Sequence, residues 1–174
     1  MSDLNTTSTD FESEPDSKVT LISMENERFS LTKKAATMSE LIRIILDGDP
    51  SETEIPLPHI KSSILDRVVQ YLKYHVDNVP KEIEKPLGSA ILSDILDPFD
   101  VNLVELSIES LFDLLNAATY LHIKPLLELT SAKVASLFKN KTPDQIRKTF
   151  NLVKDFTQKE EEAAIQENRL ALDA

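Results

Sequence analysis

Apolar and polar residues first alternate along this chain and then recur at helical spacing. Val19-Thr20-Leu21-Ile22-Ser23 and Arg28-Phe29-Ser30-Leu31 are β-rich runs separated by the polar Met24-Glu25-Asn26-Glu27. That arrangement predicts a hairpin with Val19 and Leu21 on one face, and Phe29 and Leu31 likewise. Ser39-Glu-Leu-Ile-Arg-Ile-Ile-Leu-Asp-Gly then reads as a helix with a serine start and a stop at Gly48, its Leu41, Ile42, Ile45 and Leu46 on one face. Thr53-Glu-Ile-Pro-Leu-Pro holds too much proline for a central strand and suits a short edge strand.

From there the period becomes helical. Residues 62–77 open with Ser62-Ser63 and carry Ile64, Leu65, Val68, Val69, Leu72 and Val76, an amphipathic stripe. Residues 78–100, with three prolines and little periodicity, read as a connecting loop. Two further helices follow, Ser110-Leu-Phe-Asp-Leu-Leu-Asn-Ala-Ala-Thr-Tyr-Leu and Lys124-Pro-Leu-Leu-Glu-Leu-Thr-Ser-Ala-Lys-Val-Ala-Ser-Leu-Phe. Both are apolar around much of their circumference, so they sit inside something or between two things.

The carboxyl end is well punctuated. Thr142-Pro143-Asp144-Gln145 supplies an N-cap, a proline at the first helical position and a glutamine three residues after the cap. Thr157-Gln-Lys-Glu160 is a second capping box. The helices they start, of roughly ten and fifteen residues, are marginal in water on their own. Ile146, Phe150, Leu152, Phe156, Ile165 and Leu170 must therefore find apolar surface elsewhere. Ile146 and Phe150, together with Phe112, Leu115, Tyr120, Leu127, Val134, Leu137 and Phe138, form either an ordinary core or a groove left open for a partner's helices. Periodicity does not decide between the two.

Composition removes most chemistries. The 174-residue chain has Lys+Arg 19 against Asp+Glu 30, a net charge of -11, which repels phosphate backbones and argues against direct nucleic-acid binding. With no cysteine, disulfides, thiolate zinc sites, iron–sulfur ligation and cysteine nucleophiles are excluded. Two glycines, Gly48 and Gly88, leave no dinucleotide fingerprint and no P-loop. Residues 1–17 carry five acids, no base and many Ser and Thr, and read as a disordered acidic tail. That start is polar rather than basic then apolar, and no apolar run approaches the roughly 18 residues of a membrane span. We expect a cytoplasmic and nuclear protein with no membrane partner, no small-molecule substrate and no cofactor. His59, His75 and His122 lie far apart, with no local nucleophile or ligand set, and Asp94, Asp97 and Asp100 read as solvated loop carboxylates.

One run is more specific than any of these patterns. Thr142-Pro-Asp-Gln-Ile-Arg-Lys-Thr-Phe-Asn-Leu, followed by Asp155-Phe-Thr, Glu160-Glu-Glu and Glu167-Asn168, resembles the C-terminal signature of the S-phase kinase-associated (Skp) adaptor family. Ile55-Pro-Leu-Pro-His-Ile, Leu111-Phe-Asp-Leu-Leu-Asn-Ala-Ala-Thr-Tyr-Leu-His-Ile-Lys and Val134-Ala resemble it in the same order, over about residues 18–170. The resemblance implies an α/β (α+β) chain of BTB/POZ fold, a three-stranded sheet packed by helices, with a C-terminal helical extension. Its divisions would be the tail to residue 17, a BTB/POZ domain over 18–125 and an F-box-binding extension over 126–174.

The same resemblance implies a non-catalytic adaptor that bridges a cullin to F-box proteins in an SCF-type ubiquitin ligase. A structural subunit that stabilises an F-box-like protein outside a ligase, as in a kinetochore complex, is the alternative. By position, Thr119 and Tyr120 would face the cullin. Phe112, Leu127, Ser131, Val134, Leu137, Ile146, Phe150, Leu152 and Leu170 would face the F-box. The chain departs from the family at several places. Leu170 stands where the family carries a tryptophan that closes over the F-box, Phe99-Asp100 replaces Trp-Asp, and Thr119 replaces asparagine. Lys81-Glu-Ile-Glu-Lys-Pro-Leu-Gly takes the place of an acidic inserted loop.

Overall fold

A computed structural model of the chain describes residues 17–153 and 157–172, although in the last helix the side chains of residues 158, 161 and 168–172 lie outside the description. The tail expected over residues 1–17 also falls outside it, Ser17 apart, as does Phe156. Two compact units divide the chain, residues 1–136 and residues 137–174.

The first unit is built on a small mixed sheet. Strands β1 (Lys18–Ile22) and β2 (Arg28–Thr32) form the expected antiparallel hairpin, and β3 (Glu54–Pro56) pairs parallel to β1, giving the order β2-β1-β3. Proline-bearing β3 is an edge strand, as its composition requires. Val19 lies opposite Leu31, and Leu21 lies between Phe29 and Ile55, so one face of the sheet is apolar. Val19 and Leu21 are fully buried there. Asn26 turns the hairpin at φ 64, in the left-handed region that asparagine tolerates better than most side chains.

Parallel pairing of β1 with β3 requires a crossover, and two helices supply it: α1 (Lys33–Ala36) and α2 (Glu40–Gly48). Gly48 is the last residue of α2 rather than a left-handed stop after it, and the cap is Asp49. Helix α3 (Ser62–His75) buries Ile64, Leu65, Val68, Val69 and Leu72 as its stripe predicts. Its N-cap, Lys61, offers no side-chain acceptor, and the hairpin supplies one from 37 residues away. The Ser62 N–H and hydroxyl both donate to Glu25, each at 2.7 Å, and Ser62 Oγ also meets Ser23 Oγ at 2.7 Å. These donors hold the Glu25 carboxyl below the usual carboxylate range.

Residues 78–100 are not loop throughout. A 3-10 turn at Leu92–Asp94 precedes α4 (Pro98–Leu103), which starts with proline at its first position. Two apolar turns are too short to show a period, which is why the pattern hides them. Helix α5 (Ile108–Tyr120) buries Leu111, Leu114, Ala117 and Ala118 and turns Phe112, Asn116, Thr119 and Tyr120 outward. Helix α6 (Lys124–Phe138) buries Leu126, Leu129, Thr130 and Ala132. In the second unit, α7 (Pro143–Thr149) has the full capping box, with Thr142 and Gln145 each accepting from the other's backbone N–H. It has 7 residues, shorter than the capping motif suggested. Helix α8 (Gln158–Leu172) starts with the second box, in which the Thr157 N–H donates to Glu160 at 2.8 Å.

One hydroxyl ties the start of the crossover to the end of α5. Ser39 is fully buried, caps α2 by accepting from the Ile42 N–H, and donates to the Leu121 carbonyl at 2.6 Å. Ser39→Ala removes the side-chain cap of α2 and leaves the Leu121 carbonyl only the long 3.4 Å bond from the Leu41 N–H, a loss of about 1–3 kcal/mol. We expect a lowered urea midpoint with an unchanged slope, read by far-ultraviolet circular dichroism.

Candidate functional site

Thr119 and Tyr120 stand at the C-terminal end of α5, and the geometry of that end decides where they point. Leu121 closes the helix, and His122 follows at φ 51. The Ile123 N–H donates to the Ala118 carbonyl at 3.0 Å and the His122 N–H to that of Thr119 at 3.1 Å. These two bonds make a Schellman motif with histidine in the position glycine usually takes. Leu121 and Ile123 are fully buried on either side of His122, so the turn is nailed at both ends. Tyr120 emerges beside it 42% exposed.

The surroundings of Tyr120 are polar and shallow. His59, from the turn after β3, meets its ring edge-on at 6.2 Å between centroids. Between them lies a depression of about 240 Å³ lined by Lys61, Ile64, Asp113 and Asn116. Lys61 donates to Asp113 at 2.7 Å, and that bond holds its ammonium above the usual range. This face offers one aromatic anchor ringed by charges, an arrangement suited to protein contact.

The nine residues the resemblance assigns to the F-box distribute over both units. In the first, Phe112 is 39% exposed on the outward face of α5, Ser131 is exposed on α6, and Leu127 and Val134 are half-buried. Leu127 and Ser131 line a groove of about 410 Å³, opposite Ile83 and Leu87 of the loop. Lys85 bridges its rim to Glu128 at 2.9 Å, which holds the Glu128 carboxyl below its usual range. In the second unit Leu137, Ile146 and Phe150 are half-buried and Leu152 is 57% exposed. Phe150 stacks on Phe138, ring centroids 4.6 Å apart and planes within 10°. Leu170 belongs to the backbone of α8, and its side chain lies outside the described residues. None of the eight described side chains is fully buried.

The loop wall of the groove was not among the residues the pattern singled out. Its signal was Ile83 and Leu87 spaced through an otherwise charged run. The expectation for one other residue needs correcting. Asp100 is not solvated: it is buried against His75, with Nε2 and Oδ1 2.8 Å apart, across 25 residues of chain. Among the described residues, no three histidines or carboxylates gather as a metal site would need.

Comparison with known proteins covers the same ground from another side. A model described as Skp1 family, tetramerisation domain, matches residues 17–77, and one described as Skp1 family, dimerisation domain, matches residues 124–171. The S-phase kinase-associated protein 1 homolog of Tetrahymena thermophila is 44% identical over 90% of this chain and 95% of its own. SKP1-like protein 1A of Arabidopsis thaliana is 38% identical over 90% and 98%. The SCF ubiquitin ligase complex protein SKP1a of Dictyostelium discoideum is 39% identical over 87% and 94%.

The cap at His122 yields a test of the turn that aims Tyr120. A left-handed residue with a Cβ costs roughly 1–2 kcal/mol, and glycine returns part of that gain through its freer unfolded state. His122→Gly is expected to raise the urea midpoint by an amount equivalent to about 0.5–1 kcal/mol. Unchanged near-ultraviolet dichroism of the tyrosines would show that Tyr120 keeps its place.

Proposed function

The chain belongs to the Skp1 family, and on that premise we propose that it is a non-catalytic adaptor bridging a cullin scaffold to F-box proteins in an SCF-type ubiquitin ligase. The observation that carries this reading is similarity along about nine-tenths of the chain to relatives that are themselves full length in the match, one of them named a protein of such a complex. A cytoplasmic and nuclear setting is part of the same proposal.

The mechanism is positioning. An adaptor with two separate contact faces converts the encounter of substrate and ubiquitin-loaded enzyme into a local event at raised effective concentration. We assign the cullin contact to Thr119 and Tyr120, and the F-box contact to Phe112, Leu127, Ser131 and Val134 of the first unit with Leu137, Ile146, Phe150, Leu152 and Leu170 of the second. What supports the assignment is exposure of large apolar groups: Phe112 and Tyr120, two turns apart on the outward side of α5, and Leu152 on the second unit. Burying a side chain of that kind is worth about 1.5–3 kcal/mol, so a few of them suffice for tight binding. The F-box face makes no use of an indole, since the chain contains no tryptophan.

Separability is the test. Tyr120→Lys is expected to weaken cullin binding by at least roughly tenfold, as loss of a central aromatic anchor does, while F-box binding stays within about twofold. Phe150→Ala is expected to do the reverse, with far-ultraviolet dichroism nearly unchanged. Both are read by titration with a purified cullin N-terminal segment and a purified F-box domain. Equal loss of both partners in either variant refutes two independent faces. Tight F-box binding with no cullin binding by the unaltered chain points instead to a stabilising subunit outside a ligase.

A further inference from the structure

The buried pair His75–Asp100 has no part in either contact face, and its geometry carries a proton count. His75 Nδ1 lies 2.7 Å from the carbonyl oxygen of Asn78, which can only accept, so Nδ1 must carry a hydrogen. Nε2 lies 2.8 Å from Asp100 Oδ1, an acceptor when ionised. With both ring nitrogens donating, the imidazole is a cation paired to a carboxylate.

The surroundings fit that state. His75 is the last residue of α3, where the helix dipole favours a cation. Tyr71 and Tyr74 of the same helix pack against the ring, Phe99 of α4 meets it edge-on, and Asp97 at the α4 N-cap adds a second negative charge. Burial alone would push the imidazole pKa down. The bonds to Asp100 and Asn78 and the charges of Asp100 and Asp97 outweigh it, and the net direction is upward. Burial and the Asp100 charge raise the Tyr71 phenol, so it remains a neutral neighbour.

The two partners of His75 also have a topological meaning. Asn78 opens the long connection after α3, and Asp100 lies just beyond its end in α4. One ring therefore holds both ends of the segment whose Ile83 and Leu87 form a wall of the groove beside Leu127 and Ser131. We propose that His75–Asp100 is a proton-operated latch: the protonated ring clamps residues 78–97 closed, and loss of its proton frees that segment and loosens the groove wall. The inference concerns the chain alone and does not depend on which partner the groove receives.

A group whose folded pKa lies above its unfolded value stabilises fully below the unfolded value, near 6.5 for histidine. That contribution is lost as the pH rises through the folded pKa. Amide hydrogen exchange on the intact chain from about pH 6 to about pH 9 reads it directly. After correction for intrinsic exchange, the opening constant of amides in 78–97 should rise, by up to roughly tenfold per pH unit between the two pKa values, while amides of β1 and α5 hold. Asp100→Asn keeps a hydrogen-bonding partner for a singly protonated ring and should make the profile flat. A flat profile in the unaltered chain, the original slope in the variant, or parallel loss of protection in β1 and α5 overturns the latch. Should Asp100→Asn fail to fold, nitrogen-15 spectra of the His75 ring in the unaltered chain decide: one protonated nitrogen throughout the range overturns it.

Discussion

Helix α5 ends on a carbonyl group that it cannot satisfy from within, and the first unit is organised around the answer. The buried Ser39 hydroxyl reaches across 82 residues of sequence to the Leu121 oxygen, and the same oxygen atom of Ser39 starts α2. A helix end in the interior needs such a partner, because an unpaired buried carbonyl would cost about as much as a typical point mutation. With both helices tied at one point, the sheet, the crossover and α5 become mutually dependent. The backbone that carries Tyr120 is thus anchored by what lies beneath it.

A contrast runs between what closes on itself and what does not. The sheet, α3 and the inner face of α5 bury Val19, Leu21, Leu65, Val68, Leu72 and Leu114 completely. Beyond Ser136 the pattern changes: among the described residues of that unit no side chain is fully buried, and its clearest internal apolar contact is the stack of Phe138 on Phe150. Helices of 7 and 15 residues hold their ends with capping boxes, which supply local order at little cost in area. A surface built this way is kept in shape yet still has apolar area to give to a partner.

Local signals were legible in the chain, and distant ones were not. Alternation over residues 19–31 found the hairpin, and the two capping-box runs, Thr142-Pro-Asp-Gln145 and Thr157-Gln-Lys-Glu160, found both late helix starts, because those devices are complete within a few residues. The cap that Glu25 lends to Ser62, the pairing of His75 with Asp100 and the bond from Ser39 to Leu121 each join residues at least 25 positions apart. Nothing in a window of sequence reports such a meeting. Short α4 escaped for another reason: one turn and a half gives too few positions to establish a period. The residues for the two contact faces came from family resemblance. Periodicity left core and groove undecided for them, since a half-buried apolar stripe has the same spacing as a fully buried one.

A single imidazole grips the connection after α3 at both ends, and Leu92 and Leu96 bury its later part, so the stretch over residues 79–91, in which no residue is buried, carries the fewest structural duties. Closing a longer chain between fixed points costs only about 0.6 kcal/mol for each doubling of its length. Insertions and deletions there can therefore accumulate without disturbing sheet or helices, and the wall they contribute to the groove can be rewritten in each lineage. The fold thus keeps one margin open to evolutionary change while its centre stays fixed.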